Sequence, residues 1–203
     1  MKPESLRHLR DLLLIGVALI GAMAVADSVS TRPLRPSERP ATWATKLSKP
    51  GLPNLHRVSE GLYRGAQPTA AGMAQLEKMG IKTVINLRAS HSDEDRLKST
   101  DLDQERFPMK PWHAKDEDVI YFLKTVTATN RLPVFVHCQR GADRTGLMCA
   151  MYRVAVQDWS KEEAIREMTR GGYGFHSEWK NLIRYVETAD VAELRRQAGI
   201  AQK

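Results

Sequence analysis

The stretch "PVFVHCQRGADRTGLMCAMYRVAV", Pro133 to Val156, joins two different sequence patterns within a few residues. It opens with four apolar residues and a His-Cys pair, which predicts a short buried strand. From Arg144 onward the pattern is that of a helix with apolar residues on all sides, which favours a buried position. Gly141 and Gly146 let the backbone turn tightly between the two. The stretch therefore predicts a strand, a loop and a helix, with Cys138 at the end of the strand.

Strand-like and helix-like patterns alternate along the rest of the chain. Apolar and β-branched runs predict strands within "HRVSEGLYRGAQP", "IKTVINL" and "ERFPM". Apolar residues at helical spacing predict helices, such as the one over "DEDVIYFLKTVTATN", which places Val119, Phe122 and Val126 on one face. Strands alternating with helices, followed by helices alone, predict an α/β fold with a mostly parallel central sheet flanked by helices.

The chain divides into four segments by composition. Residues 1–26 combine a basic start with the apolar run "LLLIGVALIGAMAVA", the pattern of a secretory signal peptide or an N-terminal membrane anchor. Residues 27–54 are rich in proline and basic residues and predict an extended linker. Residues 55–190 form the predicted compact domain, and residues 191–203 a polar C-terminal tail. Either interpretation of the first segment predicts that the domain lies outside the cytoplasm, exported or membrane-anchored.

Charge and cysteine content limit the classes of function. The 203 residues carry a formal net charge of +7, which favours an anionic partner such as nucleic acid, acidic lipid or a phosphorylated substrate. We expect no nucleic-acid partner, because the sequence shows no zinc-finger spacing, RNA-binding signature or mixed aromatic and basic stripe. Two cysteines are too few for a disulfide framework, and no C-x-x-C pair suggests a thiol–disulfide protein. Cys149 is expected on the helix as a packed core thiol.

The loop after the predicted strand favours a bound phosphate with a nucleophile beside it. Loop amide groups and the partial positive charge of a helix N-terminus attract an anion, and a cysteine in that setting reacts as a thiolate. That cysteine is Cys138, and Arg144 supplies a planar guanidinium that binds two phosphate oxygens. Thr145 is placed to donate a hydrogen bond to the sulfur, and His137 to orient the loop. The other residues of the predicted phosphate-binding loop are Gln139, Arg140, Gly141, Ala142 and Gly146.

The motif "HCQRGADRTG" resembles the H-C-x(5)-R-(S/T)-G signature of the cysteine-dependent protein tyrosine phosphatase superfamily. In a domain of this size it most resembles the small bacterial and plant-like dual-specificity phosphatases. The stretch "LYRGAQPTAAGMAQLEKMGIKTVINLR" is similar to the opening of those proteins, and "WSKEEAIREMTRGGYGFH" resembles their closing helices. The resemblance covers residues 55–187, and it implies that residues 55–190 are a phosphatase domain.

The resemblance implies a two-step hydrolysis of phosphomonoesters that needs no metal or other cofactor. Cys138 attacks phosphorus, a cysteinyl-phosphate forms, and water then releases phosphate. The family usually takes its general acid from a loop well before the cysteine. Here "RFPMKPWHAKDED" occupies that region and places no Asp at the usual position. Asp116 at its end is the first candidate, and its alternative role is to cap a helix. Asp143 is the second candidate, unless it is only an ionic partner of Arg144, and His113 is the third.

Three interpretations of the ligand remain open. The first is hydrolysis of phosphotyrosine-type and phosphoserine-type monoesters. An inositol phosphate or phosphoinositide is the alternative, although Gln139 and Ala142 stand where phosphoinositide phosphatases tend to hold lysines. The third is a catalytically silent phosphate-binding module, against which the intact Cys138, Arg144 and Thr145 argue. The expected partners are therefore a phosphorylated protein, an inositol phosphate or a phospholipid, with membrane association through the N-terminus.

Overall fold

The computed structural model describes residues 30–201. Within this range, six strands form one sheet and seven α-helices surround it. The strands are β1 (Thr45–Lys46), β2 (His56–Arg57), β3 (Leu62–Gly65), β4 (Thr83–Arg88), β5 (Asp103–Met109) and β6 (Val134–His137). The helices are α1 (Ala70–Lys78), α2 (Glu94–Leu97), α3 (Asp116–Thr127), α4 (Asp143–Gln157), α5 (Lys161–Arg170), α6 (Lys180–Thr188) and α7 (Val191–Ala198).

The sheet has the strand order β1-β2-β3-β6-β4-β5. β1, β2 and β3 pair antiparallel, whereas β6 pairs in parallel with β3 and β4, and β4 pairs in parallel with β5. The expected α/β fold with a mostly parallel central sheet is thus confirmed. Ligands of such sheets bind beyond the carboxyl ends of the strands. Cys138 follows the last residue of β6 and therefore lies at that edge, in the middle of the sheet.

The central strand β6 separates two apolar cores. Val134 and Val136 contribute to a larger core with helices α3 to α7, and Phe135 contributes to a smaller core with α1 and α2. This alternation follows from the two-residue period of a strand, and all three side chains are fully buried. Helix α4 is buried on all sides from Thr145 to Ala155, as predicted, and carries the buried Cys149. Burial raises the pKa of that thiol, so it stays uncharged.

The structure corrects the prediction of a linker over residues 27–54, because much of its described part packs against the domain. The Trp43 side chain is only 3% exposed, and its Nε1 donates a hydrogen bond to Glu163 at 2.6 Å. The next residue, Ala44, donates its backbone N–H to Glu167 at 2.6 Å, and β1 then extends the sheet. The composition of this segment, rich in proline and basic residues, does not indicate these few contacts.

The predicted polar tail over residues 191–203 is also corrected, because it begins with helix α7. The Asp190 side chain caps this helix by accepting from the N–H of Glu193, and Leu194 is buried in the larger core. One apolar stripe is thus enough to dock a short, charged helix.

The membrane-related prediction concerns residues 1–26, which lie outside the described residues. Within residues 30–201, none of the helices combines the length and the apolar character that crossing a membrane requires.

Candidate active site

The phosphate-binding loop predicted from the sequence connects β6 to α4 at the carboxyl edge of the sheet. Cys138 is 2% exposed at the bottom of an open pocket of about 210 Å³. Helix α4 begins at Asp143 and points its N-terminus at this pocket, where the helix dipole favours an anion. The pocket is lined by Pro111, Cys138, Gln139, Arg140, Asp143, Arg144, His176, Glu178 and Trp179.

Four successive carbonyl groups of the loop are held by donors from the surrounding protein. The Cys138 oxygen lies 3.1 Å from Nδ1 of His137. The Gln139 oxygen accepts from the backbone N–H of Gln67 at 3.3 Å, and the Arg140 oxygen accepts from Asn54 Nδ2 at 3.0 Å. The Gly141 oxygen accepts from Arg64 Nη2 at 2.7 Å. In a trans peptide the N–H points opposite to the C=O. The N–H groups of residues 139–142 therefore point away from these donors, as a phosphate-binding loop requires.

Arg64 supports the loop from below. Its side chain is 1% exposed, and its guanidinium lies 3.8 Å from the centre of the Tyr173 ring, a cation–π contact. The buried positive charge lies directly beneath the loop carbonyls that it binds. Arg64 thereby fixes the loop conformation and adds to the positive potential around a bound anion.

Arg144 lies on the first turn of α4, and its guanidinium reaches back over the sheet edge. Its Nη1 donates to the backbone oxygens of Leu87 at 3.4 Å and Met109 at 3.2 Å, at the ends of β4 and β5. These contacts hold the guanidinium in one position. Arg88 adds a second guanidinium nearby, and its pKa is lowered by burial and by the charge of Arg144. Arg88 does not appear among the described residues that line the pocket, and its Nη1 donates to Oε1 of Gln67.

His137 is fully buried and connects the loop to an acidic residue. Its Nδ1 lies against the Cys138 carbonyl, and its Nε2 lies 2.8 Å from Oδ2 of Asp93. Both neighbouring groups are oxygens, which fits the orienting role predicted for His137. Burial raises the pKa of Asp93, but the hydrogen bond and the charge of His137 outweigh it and the net pKa is lowered. The Asp93 carboxylate therefore holds the His137 ring in its orientation.

Thr145 has the environment expected of a residue that serves the nucleophile. It is fully buried on the first turn of α4. Its Oγ1 has no hydrogen-bond partner among residues 30–201. A buried hydroxyl without a partner is costly in an ordinary core, so its retention here fits a donor to the cysteine sulfur.

The first two candidates for the general acid occupy different environments. Asp116 starts α3 and is exposed, and its Oδ1 accepts from the hydroxyl of Tyr185 at 2.6 Å. Asp116 does not appear among the described residues that line the pocket, so its catalytic role stays a prediction. Asp143 lines the pocket, and its partner is His176 rather than Arg144. His113, the third candidate, is exposed and also lies outside the described pocket lining.

Five residues of this site escaped the sequence analysis: Asn54, Arg64, Arg88, Asp93 and His176. They come from the predicted linker, from β3, from β4, from a polar loop and from the turn before α6. No spacing in the sequence connects them to Cys138. Arg64 lies within a predicted strand, and the others lie in or beside polar segments, which are usually solvated. Neither setting marks a polar residue as part of a site.

Comparisons with known proteins agree with this geometry. A family model for a DSP-PTPase phosphatase fused to NAD+ kinase matches residues 52–182. The dual specificity protein phosphatase TpbA of Pseudomonas aeruginosa is 35% identical over 198 residues, covering 96% of this chain and 87% of that protein. The inositol diphosphatase DSP3 of Arabidopsis thaliana is 23% identical over 151 residues, covering 70% of this chain and 72% of that protein.

Solved structures show the same fold. The crystal structure of P. aeruginosa TpbA matches with a TM-score of 0.70 at 35% identity, covering 78% of this chain and 98% of that one. A structure of TpbA in complex with pTyr matches with a TM-score of 0.71 at 34% identity, covering 80% of this chain and 99% of that one. The motif, the loop geometry and these relatives agree, and the chain belongs to the DSP-PTPase family of cysteine-dependent, dual-specificity phosphatases.

Proposed function

We propose that this phosphatase acts on phosphotyrosine-type and phosphoserine-type monoesters through a cysteinyl-phosphate intermediate. The observation that carries the proposal is the loop after Cys138, whose four successive carbonyls are held by the surrounding protein. This leaves the loop amides on the opposite side, where we place the phosphate. Arg144 binds the phosphate oxygens, and Thr145 stabilises the sulfur as it leaves. The name of TpbA and its complex with pTyr support a phosphorylated protein as the substrate class.

The test is Cys138→Ser. We expect turnover of p-nitrophenyl phosphate and of a phosphotyrosine peptide to fall below detection, because the hydroxyl is a poor nucleophile at neutral pH. Phosphate binding, measured by calorimetry, should persist because the amides and Arg144 remain.

The matched control is Cys149→Ala, which removes the other cysteine. It should keep turnover, because burial holds that thiol uncharged on α4. Normal rates in Cys138→Ser, or loss of turnover in the control alone, would contradict the covalent mechanism. A wild-type protein that binds phosphate without turnover would indicate a silent binding module.

A second candidate substrate class is an inositol phosphate. The observation that favours it is Arg88, the last residue of β4, whose guanidinium lies near that of Arg144 at the carboxyl edge of the sheet. A neighbouring phosphate of an inositol ring would bind there. The similarity to the Arabidopsis inositol diphosphatases points the same way. Comparing kcat/KM for phosphopeptides and inositol phosphates in wild type and Arg88→Gln separates the two. A larger loss on inositol phosphates would favour the second class.

We also propose that the catalytic domain works outside the cytoplasm, exported or membrane-anchored. The support is the basic start and apolar run of residues 1–26. A reporter that is active only after export, fused behind Lys203, should be active. A reporter that works only in the cytoplasm should be silent, and its full activity would contradict the proposal.

A further inference from the structure

We propose that His176 is the general acid and base of the reaction, and that Asp143 positions it. The inference rests on the proposed function and names the residue that delivers the proton. Three observations carry it: the place of the imidazole in the pocket wall, its contacts with Asp143, and the burial of Tyr173 and Phe175 in the turn that holds it.

Both oxygens of Asp143 are engaged by His176. Nδ1 of the ring lies 3.0 Å from Oδ1 and 2.9 Å from Oδ2, and the backbone N–H of His176 donates to Oδ1 at 2.9 Å. The carboxylate sits on the first turn of α4, beside the pocket. The Asp143 side chain is 14% exposed and that of His176 is 29% exposed, so the imidazole is the more accessible group.

The other ring nitrogen is the one that can exchange a proton with substrate. Nε2 of His176 lies 2.8 Å from Nη1 of Arg140, and a guanidinium only donates. Nε2 is therefore an acceptor in this arrangement, and Nδ1 carries the hydrogen directed at Asp143. Arg140 is exposed at the rim of the loop, so its side chain can turn from Nε2 to a phosphate oxygen.

The turn between α5 and α6 holds His176 in place. Tyr173 is buried, its hydroxyl donates to Glu167 at 3.1 Å, and its backbone oxygen accepts from Asn54 at 2.9 Å. Phe175 is buried in the larger core immediately before His176. The N–H of Trp179 then donates to the His176 oxygen at 3.2 Å. The imidazole thus projects from a fixed backbone, as proton transfer requires.

The proposed proton path balances in both steps. In the first step the Cys138 thiolate forms the sulfur–phosphorus bond while the bond from phosphorus to the leaving oxygen breaks. Once Arg140 has turned from Nε2 to a phosphate oxygen, Nε2 of His176 takes up a proton from water. That proton then passes to the leaving oxygen, and the ring becomes neutral. In the second step a water oxygen attacks phosphorus and its proton passes to Nε2. The sulfur–phosphorus bond breaks, and the thiolate and the imidazolium are restored.

The other acidic groups fit this role less well. The Asp116 carboxylate accepts from Tyr185 and lies outside the described pocket lining. Glu178 lines the pocket, but it is exposed and its side chain makes no hydrogen bond or ion pair with residues 30–201. No contact therefore directs the Glu178 carboxylate at a leaving group.

Dependence on the leaving group tests the assignment. An aryl phosphate with a good leaving group needs little protonation, whereas an alkyl phosphate needs much. We expect His176→Asn to lower kcat on an alkyl phosphate by about 10²–10⁴-fold, and on p-nitrophenyl phosphate by much less. Asp143→Asn should show the same selectivity with a smaller loss, because it acts through the orientation of the ring. Equal losses on both substrates would reduce both residues to structural roles and overturn the proposal.

Matched variants distinguish His176 from the other candidate acids. Asp116→Asn and Glu178→Gln should lack the selective loss, and either variant showing it in place of His176→Asn would overturn the assignment. His91→Asn replaces an exposed histidine outside the described pocket lining and should leave both rates unchanged.

Chemical rescue separates loss of the catalytic imidazole from loss of folding. In His176→Ala, imidazole added to the buffer should restore turnover of the alkyl phosphate and leave that of p-nitrophenyl phosphate nearly constant. Absence of rescue in a variant that still turns over p-nitrophenyl phosphate would overturn the proposal. Failure of the proposed function is distinct, because it would abolish activity on both substrates in the wild type.

Discussion

At the scale of single residues, Gly141 shows how tightly the phosphate-binding loop is constrained. Its φ is +68°, and a Cβ at this position would lie 2.3 Å from the backbone of Gly65. An alanine therefore meets both a strained conformation and a backbone clash that no side-chain rotation relieves. Only glycine lets the loop rest against β3.

We predict that Gly141→Ala destabilises the protein by more than Gly80→Ala. Gly80 has a similar φ of +78° but nothing within 4 Å of its Cβ position, so it isolates the conformational cost of about 1–2 kcal/mol. Urea unfolding measures the stability of both variants, and calorimetry measures phosphate binding. Equal stability losses with phosphate binding intact would show that the close approach to Gly65 does not matter.

Asp93 is the second residue whose effect we predict. Asp93→Asn keeps an oxygen acceptor for His137 but removes the negative charge beside it. The folded-state pKa of Asp93 is lowered, so its ionised form stabilises the fold at neutral pH, and this stability is lost as the pH falls below about 4. We expect the variant to lose about 1.5–3 kcal/mol near neutral pH, with the difference from wild type shrinking in acid.

The measurement is urea unfolding over a pH series. Asp95→Asn is the matched control, because its carboxylate is 90% exposed and pairs only with the exposed Lys98. Asp95→Asn should lower the free energy of unfolding only slightly at any pH. A pH-independent loss in Asp93→Asn would mean that its charge does not support His137.

At the scale of elements, the segment before β2 acts as a strap across the domain. Trp43 is buried beside α5, Ala44 bonds to Glu167, and Asn54 reaches the carbonyl groups of Arg140 and Tyr173. The same Glu167 forms a buried ion pair with Arg153 of α4 at 2.7 Å. The strap therefore connects to both helices behind the active site.

We predict that Trp43→Ala lowers the free energy of unfolding by about 3–5 kcal/mol, because it removes a large buried ring and a hydrogen bond to Glu163. Trp112→Ala is the matched control, since that ring is 63% exposed, and it should cost no more than about 0.5 kcal/mol. Thermal unfolding followed by calorimetry measures both. Similar stability for the two variants would mean that the strap is only a linker.

At the scale of the whole molecule, pH dependence of stability follows from a buried histidine. His56 on β2 is 2% exposed, stacks edge-on against Tyr173 and bonds through Nδ1 to the Asn54 oxygen. Burial lowers its pKa to about 4, although the bond to Asn54 opposes this. In the unfolded chain this imidazole binds a proton near pH 6.5, whereas in the folded protein it binds one only near pH 4.

The contribution of neutral His56 to the free energy of unfolding is therefore fully present above about pH 6.5. It falls progressively as the pH drops toward 4, by at most about 3 kcal/mol. We predict that His56→Gln flattens this part of the curve of unfolding free energy against pH. Unfolding in urea between about pH 7 and pH 4 gives the comparison. A variant whose curve keeps the wild-type slope would show that another group is responsible.

Local pattern was enough for the central part of the site. The residues from His137 to Gly146 are contiguous, so a strand, a tight loop and a helix could be predicted together with the nucleophile, Arg144 and Thr145. The α/β fold with its mostly parallel sheet also followed from the order of the patterns, because such patterns report which side chains need burial.

Tertiary structure alone decided which distant residues support that loop. Asn54, Arg64, Asp93 and His176 meet it only because the strand order places β3 and β4 beside β6 and because the turn before α6 packs over the pocket. A polar side chain in a polar segment carries no mark of burial in its own sequence. Its partner is set by contacts between residues far apart along the chain, and only the folded arrangement fixes those contacts.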